Sequence, residues 1–219
     1  TLTMQWQVEL ADKLGIPSAV WSSTKKLWID PQGREVRTRG AEDVARCPAQ
    51  IAIVSTGLVF HDSDECQHLL ARRYGTVVLD EAHKARRRAT PNGQMGEPNN
   101  LLDFMMKIGA RTKNLLLGTA TPIQTEVYEL WDLLAVLGIN AEFVLGRTPF
   151  SRWTDWRRAL PVVKGDEVPT EDKEAWEWLR NPLPPGDEDA LFATLRLQIG
   201  LPEQSFFTDR GFGSLGFLE

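Results

Sequence analysis

Apolar positions along this chain change rhythm several times, and each rhythm predicts an element. Leu2, Trp6, Leu10 and Leu14 recur every four residues, the mark of a helix with one apolar stripe, stopped by Gly15 and Pro17. Residues 18–21 predict a short strand. Residues 26–30 and 34–37, joined by Pro31-Gln32-Gly33, predict a β-hairpin. Residues 51–54 form a continuous apolar run, the pattern of a strand buried on both faces. A second helix is expected over 63–74, capped by Asp62 with Glu65 three positions on and released at Gly75. Residues 76–79 then predict another buried strand, ending in Asp80.

The stretch 89–100 is rich in Pro, Gly and Asn and reads as a loop. Leu101, Met105 and Ile108 mark a third helix, and 115–117 a further buried strand. Val127, Leu130, Trp131, Leu134 and Leu137 share one helical stripe, entered through Thr121-Pro122-Ile123-Gln124 as a capping sequence, with Thr125 as the alternative cap. Strands alternating with helices specify an α/β domain with a mostly parallel sheet. Past Arg147 the pattern changes. Trp153, Trp156, Trp176 and Trp178 lie in charged sequence broken by Pro182, Pro184 and Pro185, which predicts a helical appendage. The expected division is 1–147 for the α/β lobe and 148–219 for the appendage and tail.

Composition narrows the classes. No apolar run reaches the ~18–20 residues of a membrane span, and no signal peptide opens the chain. Cys47 and Cys66 have no metal-type spacing, so a reduced cytoplasmic protein is the simpler reading. His61, His68 and His83 are the only histidines, and none lie four apart around a Glu, which excludes the zinc-protease signature. A net charge of −5 weighs against nucleic-acid binding by totals, but Lys25, Lys26, Arg34, Arg37 and Arg39 cluster, as do Arg86, Arg87 and Arg88. The plain reading of either cluster is a solvated surface.

Candidate chemistry concentrates at Asp80-Glu81-Ala82-His83, directly after a predicted strand. Ligands of open α/β sheets bind at the carboxyl ends of the strands. Adjacent carboxylates there suit nucleotide hydrolysis, one supporting Mg²⁺ through water and the other deprotonating the attacking water. An ordinary acidic strand end is the competing reading. A second strand ends in Gly118-Thr119-Ala120-Thr121-Pro122-Ile123-Gln124, and the helix beyond holds Glu129-Leu130-Trp131-Asp132.

These two blocks, in this order and spacing, resemble motifs II and III of the superfamily 2 helicases, and the Ile-Gln and Glu-Leu-Trp continuation is most similar to the Swi/Snf-type branch. Residues 2–10 resemble the motif Ia helix, and Ile53-Val54-Ser55-Thr56 the motif Ib segment. The resemblance covers roughly residues 1–137. It implies a partial RecA-like parallel sheet flanked by helices, with a helical C-terminal appendage, from a DNA-dependent ATPase that translocates on double-stranded DNA. By position, Asp80 would support Mg²⁺ and Glu81 would be the catalytic base for ATP. His83, Thr119, Thr121 and Gln124 would couple that site to the DNA track and to a second RecA-like lobe. Ser55, Thr56 and Gln5 would face DNA, whereas Trp6 reads as core more readily than as a contact.

No G-x-x-x-x-G-K-[ST] loop occurs in the chain, so the amides and lysine that cradle phosphates are missing. The expectation is a fragment of a first motor lobe, inactive alone, whose phosphate loop would precede Thr1. Its uncovered sheet is expected to self-associate through an edge, and a dilution-resistant monomer in light scattering would count against that. The alternatives are the motor lobe of a restriction-system translocase and a catalytically silent DNA- or protein-binding module. The implied location is cytoplasmic, with a bacterial nucleoid preferred to a eukaryotic nucleus.

Overall fold

The structure is a computed structural model that describes residues 2–61, 63–89, 95–123, 126–139, 141–146 and 151–170, with Trp178 and Thr194. The chain divides into two units, Thr1–Gly118 and Thr119–Glu219. The expected boundary at 147/148 falls among residues outside the described set.

In the first unit, helix α1 (Leu2–Leu14) leads into β1 (Ser18–Ser22), which pairs antiparallel with β2 (Leu27–Ile29). β3 (Glu35–Val36) adds to β2, and β4 (Ile51–Ile53) runs parallel to β1, so the order is β3-β2-β1-β4. Short helix α2 (Gly57–Phe60) and helix α3 (Asp64–Leu70) precede β5 (Tyr74–Asp80). A two-stranded ribbon follows, β6 (Arg87–Ala89) with β7 (Met95–Pro98), then α4 (Asn100–Gly109) and β8 (Thr112–Gly118). β8 pairs parallel with β5 in register from Tyr74↔Thr112 to Asp80↔Gly118. The class is therefore mixed α/β with parallel pairing. The strands fall into a four-stranded mixed sheet and two separate pairs, β5–β8 and β6–β7. The β2–β3 turn is tied by Asp30, whose Oδ1 accepts from the Gln32 and Arg34 backbone N–H groups at 2.9 Å each.

One face of the hairpin builds the core. Trp21 and Trp28 lie directly opposite each other across β1 and β2, with rings in edge contact at 5.2 Å. Ala19, Val44, Leu58 and Leu69 close around them, and Phe104 of α4 packs alongside. The other face of β1 meets α1, but not through the expected stripe. Leu2 and Leu14 are 61% and 65% exposed and Trp6 40%, whereas Gln7 is buried and donates from Nε2 to Ser18 O at 2.7 Å and Asp30 O at 3.0 Å. A four-residue spacing advances about 40° per step around a 3.6-residue helix, so the leucines spiral off any single face. Gln7→Leu, which leaves those strand-end carbonyls without their donor, should cost about 1–3 kcal/mol in urea unfolding. Gln7→Glu, an acceptor facing acceptors, should cost more.

Other expectations need correction. The helix predicted over 63–74 ends at Leu70, because Tyr74 and Gly75 already belong to β5, and its predicted cap Asp62 lies outside the described residues. The predicted loop 89–100 contains β7, paired antiparallel to β6. β4 is exposed at Ile51 and Ala52, and the β5–β8 pair exposes Val78 (61%) and its partner Leu116 (57%) while burying Leu79. These strands are not covered on both faces.

A charged contact fastens the core. The Glu65 carboxylate of α3, fully buried, pairs with the Lys26 ammonium from the β1–β2 turn, where Lys26 itself sits at φ 52°. Burial pushes the Glu65 carboxyl up, but Lys26, the residue's own N–H, the Ser63 hydroxyl and the Trp21 indole outweigh it and hold it below its ordinary 4.5. A depressed carboxylate stabilises the fold above its unfolded value and loses that contribution as pH falls through the lower folded value. Wild-type stability should therefore drop below about pH 4.5. In Lys26→Met the first of the opposing partners is gone while the residue's own N–H, the Ser63 hydroxyl and the Trp21 indole remain, so the fall in stability below about pH 4.5 should be smaller than in wild type, after a loss near neutral pH of about 1–2 kcal/mol. That loss is discounted from the buried-pair range because Lys26 is 45% exposed. Acid titration of the urea midpoint in both proteins reads that difference directly.

In the second unit, α5 (Tyr128–Leu137), α6 (Glu142–Leu145) and α7 (Trp156–Lys164) form a helical cluster. Trp131, Leu145, Ala159 and Trp178 are its buried centre, with Trp153 edge-on to Trp178 at 5.1 Å. Thr121 does not start α5. Its N–H is drawn to Thr119 Oγ1 at 3.1 Å, a local turn that competes with helix. The other predicted caps, Gln124 and Thr125, lie outside the described residues. Among the described residues no helix is long and apolar enough to cross a membrane.

Candidate functional site

The parallel pair β5–β8 delivers Asp80 and Gly118, registered partners, to one sheet end. Asp80 is the last residue of β5 and is exposed. Its Oδ1 accepts from the Glu81 backbone N–H at 2.9 Å, and its Oδ2 accepts from the Trp6 indole Nε1–H at 3.2 Å.

Glu81 turns the chain sharply. Its φ of 54° and ψ of 47° are left-handed, a conformation that costs an L-residue with a side chain about 1–2 kcal/mol. Only Lys26 shares a positive φ among the described non-glycine residues. The bend is locked on its far side, where the Lys84 N–H donates to Glu81 O at 3.0 Å and Ala82 and Ala85 are buried. It brings His83 Nδ1 to 3.2 Å from Glu81 Oε2. Asp80, Glu81 and His83 thus form one connected polar group, to which the structure adds Trp6.

The remaining predicted residues stand elsewhere. Gln5 is exposed on α1, one position before Trp6. Ser55 and Thr56 join β4 to α2, with Ser55 Oγ accepting from the Gly57 N–H at 3.2 Å and Thr56 O accepting from Val59 N at 3.0 Å. Thr119 and Thr121 open the second unit, half-buried and exposed respectively. Gln124 lies outside the described residues.

Sequence reasoning missed two features. Trp6 sits 74 positions from the carboxylate it touches, a separation no local pattern reports. Asn99 caps α4, accepting from the Leu102 N–H at 2.9 Å, and donates from Nδ2 to Lys84 O at 2.7 Å. It thereby ties the segment after the acidic pair to a helix. An Asn before an apolar run was the available signal.

Among the described residues no three His, Cys, Asp or Glu side chains converge as a metal cage. Two adjacent carboxylates do suit Mg²⁺, which keeps most of its waters and takes one or two carboxylates together with substrate phosphates. Each oxygen of Asp80 has one donor shown here and so retains acceptor capacity for a metal-bound water. The donor set fits a hydrated divalent cation held through water.

No protein-family profile matches the chain. Over 87 residues it is 37% identical to Helicase SWR1 of Debaryomyces hansenii, a stretch that covers 40% of this chain and 4% of that protein. Over part of its length, then, the chain is similar to a helicase.

Proposed function

We propose that this chain belongs to the first motor lobe of a Swi/Snf-type, DNA-dependent ATPase that moves along double-stranded DNA. The observation that carries the reading is the end of β5, where Asp80 and Glu81 present adjacent carboxylates and a left-handed bend sets Glu81 against His83. The partial likeness to a helicase supports it, as does parallel pairing of the strand that ends in Asp80 with the strand that ends in Gly118. In this reading β5 and β8 are part of a RecA-like sheet.

Asp80 would hold the cation through water, Glu81 would take a proton from the attacking water, and His83 would keep the Glu81 carboxylate in place. Magnesium bound with ATP supplies charge neutralisation at the phosphates. Thr119, Thr121 and Gln124, on the segment leaving β8, couple the site to a second lobe. The Ser55 and Thr56 hydroxyls and the Gln5 amide donate to phosphate oxygens of the duplex.

Charge supports a nucleic-acid partner once it is resolved by unit. Residues 1–118 carry 16 Lys and Arg against 13 Asp and Glu, a net +3, whereas residues 119–219 carry 9 against 17, a net −8. The total of −5 conceals a basic first unit. The chain contains no phosphate-cradling loop, so the test uses the complete protein that carries this sequence. Phosphate release from ATP should rise strongly on addition of duplex DNA. Absence of turnover with duplex, single strands and RNA alike would leave a binding-only lobe.

A further inference from the structure

We propose that Trp6 is a positioning residue for the acidic pair, holding the Asp80 carboxylate in the orientation in which it meets a divalent cation. The proposal deepens the nucleotide-hydrolysis reading and rests on it. Burial does not explain where the indole lies. Trp6 is half-exposed, and Leu2 and Leu14 on the same spiral point into solvent. What the ring does have is a single polar atom, a donor only, directed at one carboxylate oxygen 74 residues away.

The two donors on Asp80 are complementary. The Glu81 N–H takes Oδ1 and the Trp6 N–H takes Oδ2, so the carboxylate plane is held from both sides. A carboxylate offers about four lone-pair sites. One donor on each oxygen fixes the group and still leaves it able to accept from the water of a hydrated cation.

The indole is itself held by a fixed frame. Its chain neighbour Gln7 is buried, with its amide bonded to the start of β1 and the end of β2. Rotating α1 enough to withdraw Trp6 would break those bonds. The hairpin backbone therefore sets the helix, the helix sets the indole, and the indole sets Asp80. Outer partners of this kind are worth about 10–100-fold in metal affinity when removed from a ligating carboxylate.

Mn²⁺ alone, titrated into the full 219-residue chain labelled with ¹⁵N, tests this without any assay of turnover. The Trp6 indole signal is assigned by its loss in Trp6→Phe, and the Glu81 backbone amide, bonded to Asp80, reports the cation by paramagnetic broadening. Wild type should show Glu81 broadening at low Mn²⁺, and Asp80→Asn should abolish it. Trp6→Phe should raise the Mn²⁺ needed for half-broadening by about tenfold or more, with an unchanged thermal midpoint. Benzothienylalanine at position 6, which keeps the ring shape and lacks only the N–H, should do the same and serves if Trp6→Phe does not fold. Unchanged Mn²⁺ response in that analogue, with Asp80→Asn still null, overturns the positioning role and leaves the acidic-pair reading intact. Equal broadening in wild type and Asp80→Asn, or none in wild type, removes the metal role of Asp80 and the proposal with it.

Discussion

Glu81→Gln should lower duplex-stimulated ATP turnover by about 10²- to 10⁴-fold in the complete protein while leaving the unfolding midpoint of the chain unchanged. The size is that of a lost general base. Glutamine keeps the length and planarity of the side chain, still reaches His83, and keeps the backbone at the same φ of 54°, so only the proton acceptor is removed. The backbone supplies a second, independent comparison. A left-handed residue with a Cβ is strained by about 1–2 kcal/mol, and such strain persists at sites that need a particular direction of approach. Glu81→Gly relieves it, so that variant should be no less stable than wild type yet as inactive as Glu81→Gln. Turnover by Glu81→Gln within about threefold of wild type would assign the proton transfer to another group.

The acidic pair was legible because everything that defines it is local. A run of apolar residues followed at once by Asp80-Glu81-Ala82-His83 places the carboxylates at a strand end, and the structure puts them there. The strands β5 and β8 were also legible, because contiguous apolar runs mark them. What failed depended on distant partners. The Leu2–Leu14 spacing predicted a buried stripe, but the position that α1 buries is Gln7, an amide that enters the interior only because strand-end carbonyls are waiting for it. Trp6 looked like core for the same reason and is instead a donor to Asp80. Val78 and Leu116 read as buried from their apolar neighbours, and nothing in a run of like residues says which of its two faces will be covered. The β6–β7 ribbon was hidden because its bonds are backbone bonds, indifferent to the prolines, glycines and asparagines that made the segment read as loop. The DNA-facing and coupling roles proposed for Gln5, Ser55, Thr56, Thr119 and Thr121 would be played against duplex DNA and a second lobe, neither of which the positions of these residues specify.

Trp28→Ala should destabilise the first unit by about 4–5 kcal/mol, the largest stability effect expected of a single substitution here. Three contributions converge at this side chain. It is among the largest fully buried residues, and truncating a buried Trp to Ala costs about 3–5 kcal/mol in lost transfer energy and cavity. Its ring packs edge-on against Trp21 directly across the hairpin, an arrangement worth about 0.5–1.5 kcal/mol beyond area. Its Nε1–H donates to Asp43 O at 2.8 Å, and an unpaired buried carbonyl costs about 1–3 kcal/mol more unless water follows into the cavity. These contributions overlap, since the cavity that removes the packing also admits the water, which is why the expected total sits near the top of the first range. Against a whole-domain stability of about 5–15 kcal/mol, that loss would leave the unit marginal. Trp28→Phe separates the parts: it keeps most of the ring contact with Trp21 and loses the N–H, so it should cost about 1–2 kcal/mol. Amide exchange of β1 and β2 in increasing urea isolates this unit from the helical cluster, whose own tryptophans would confuse fluorescence. A Trp28→Ala loss of less than about 1 kcal/mol would mean that the Trp21–Trp28 pair is not what holds the hairpin to α3 and α4, and with it the frame that sets α1 over Asp80.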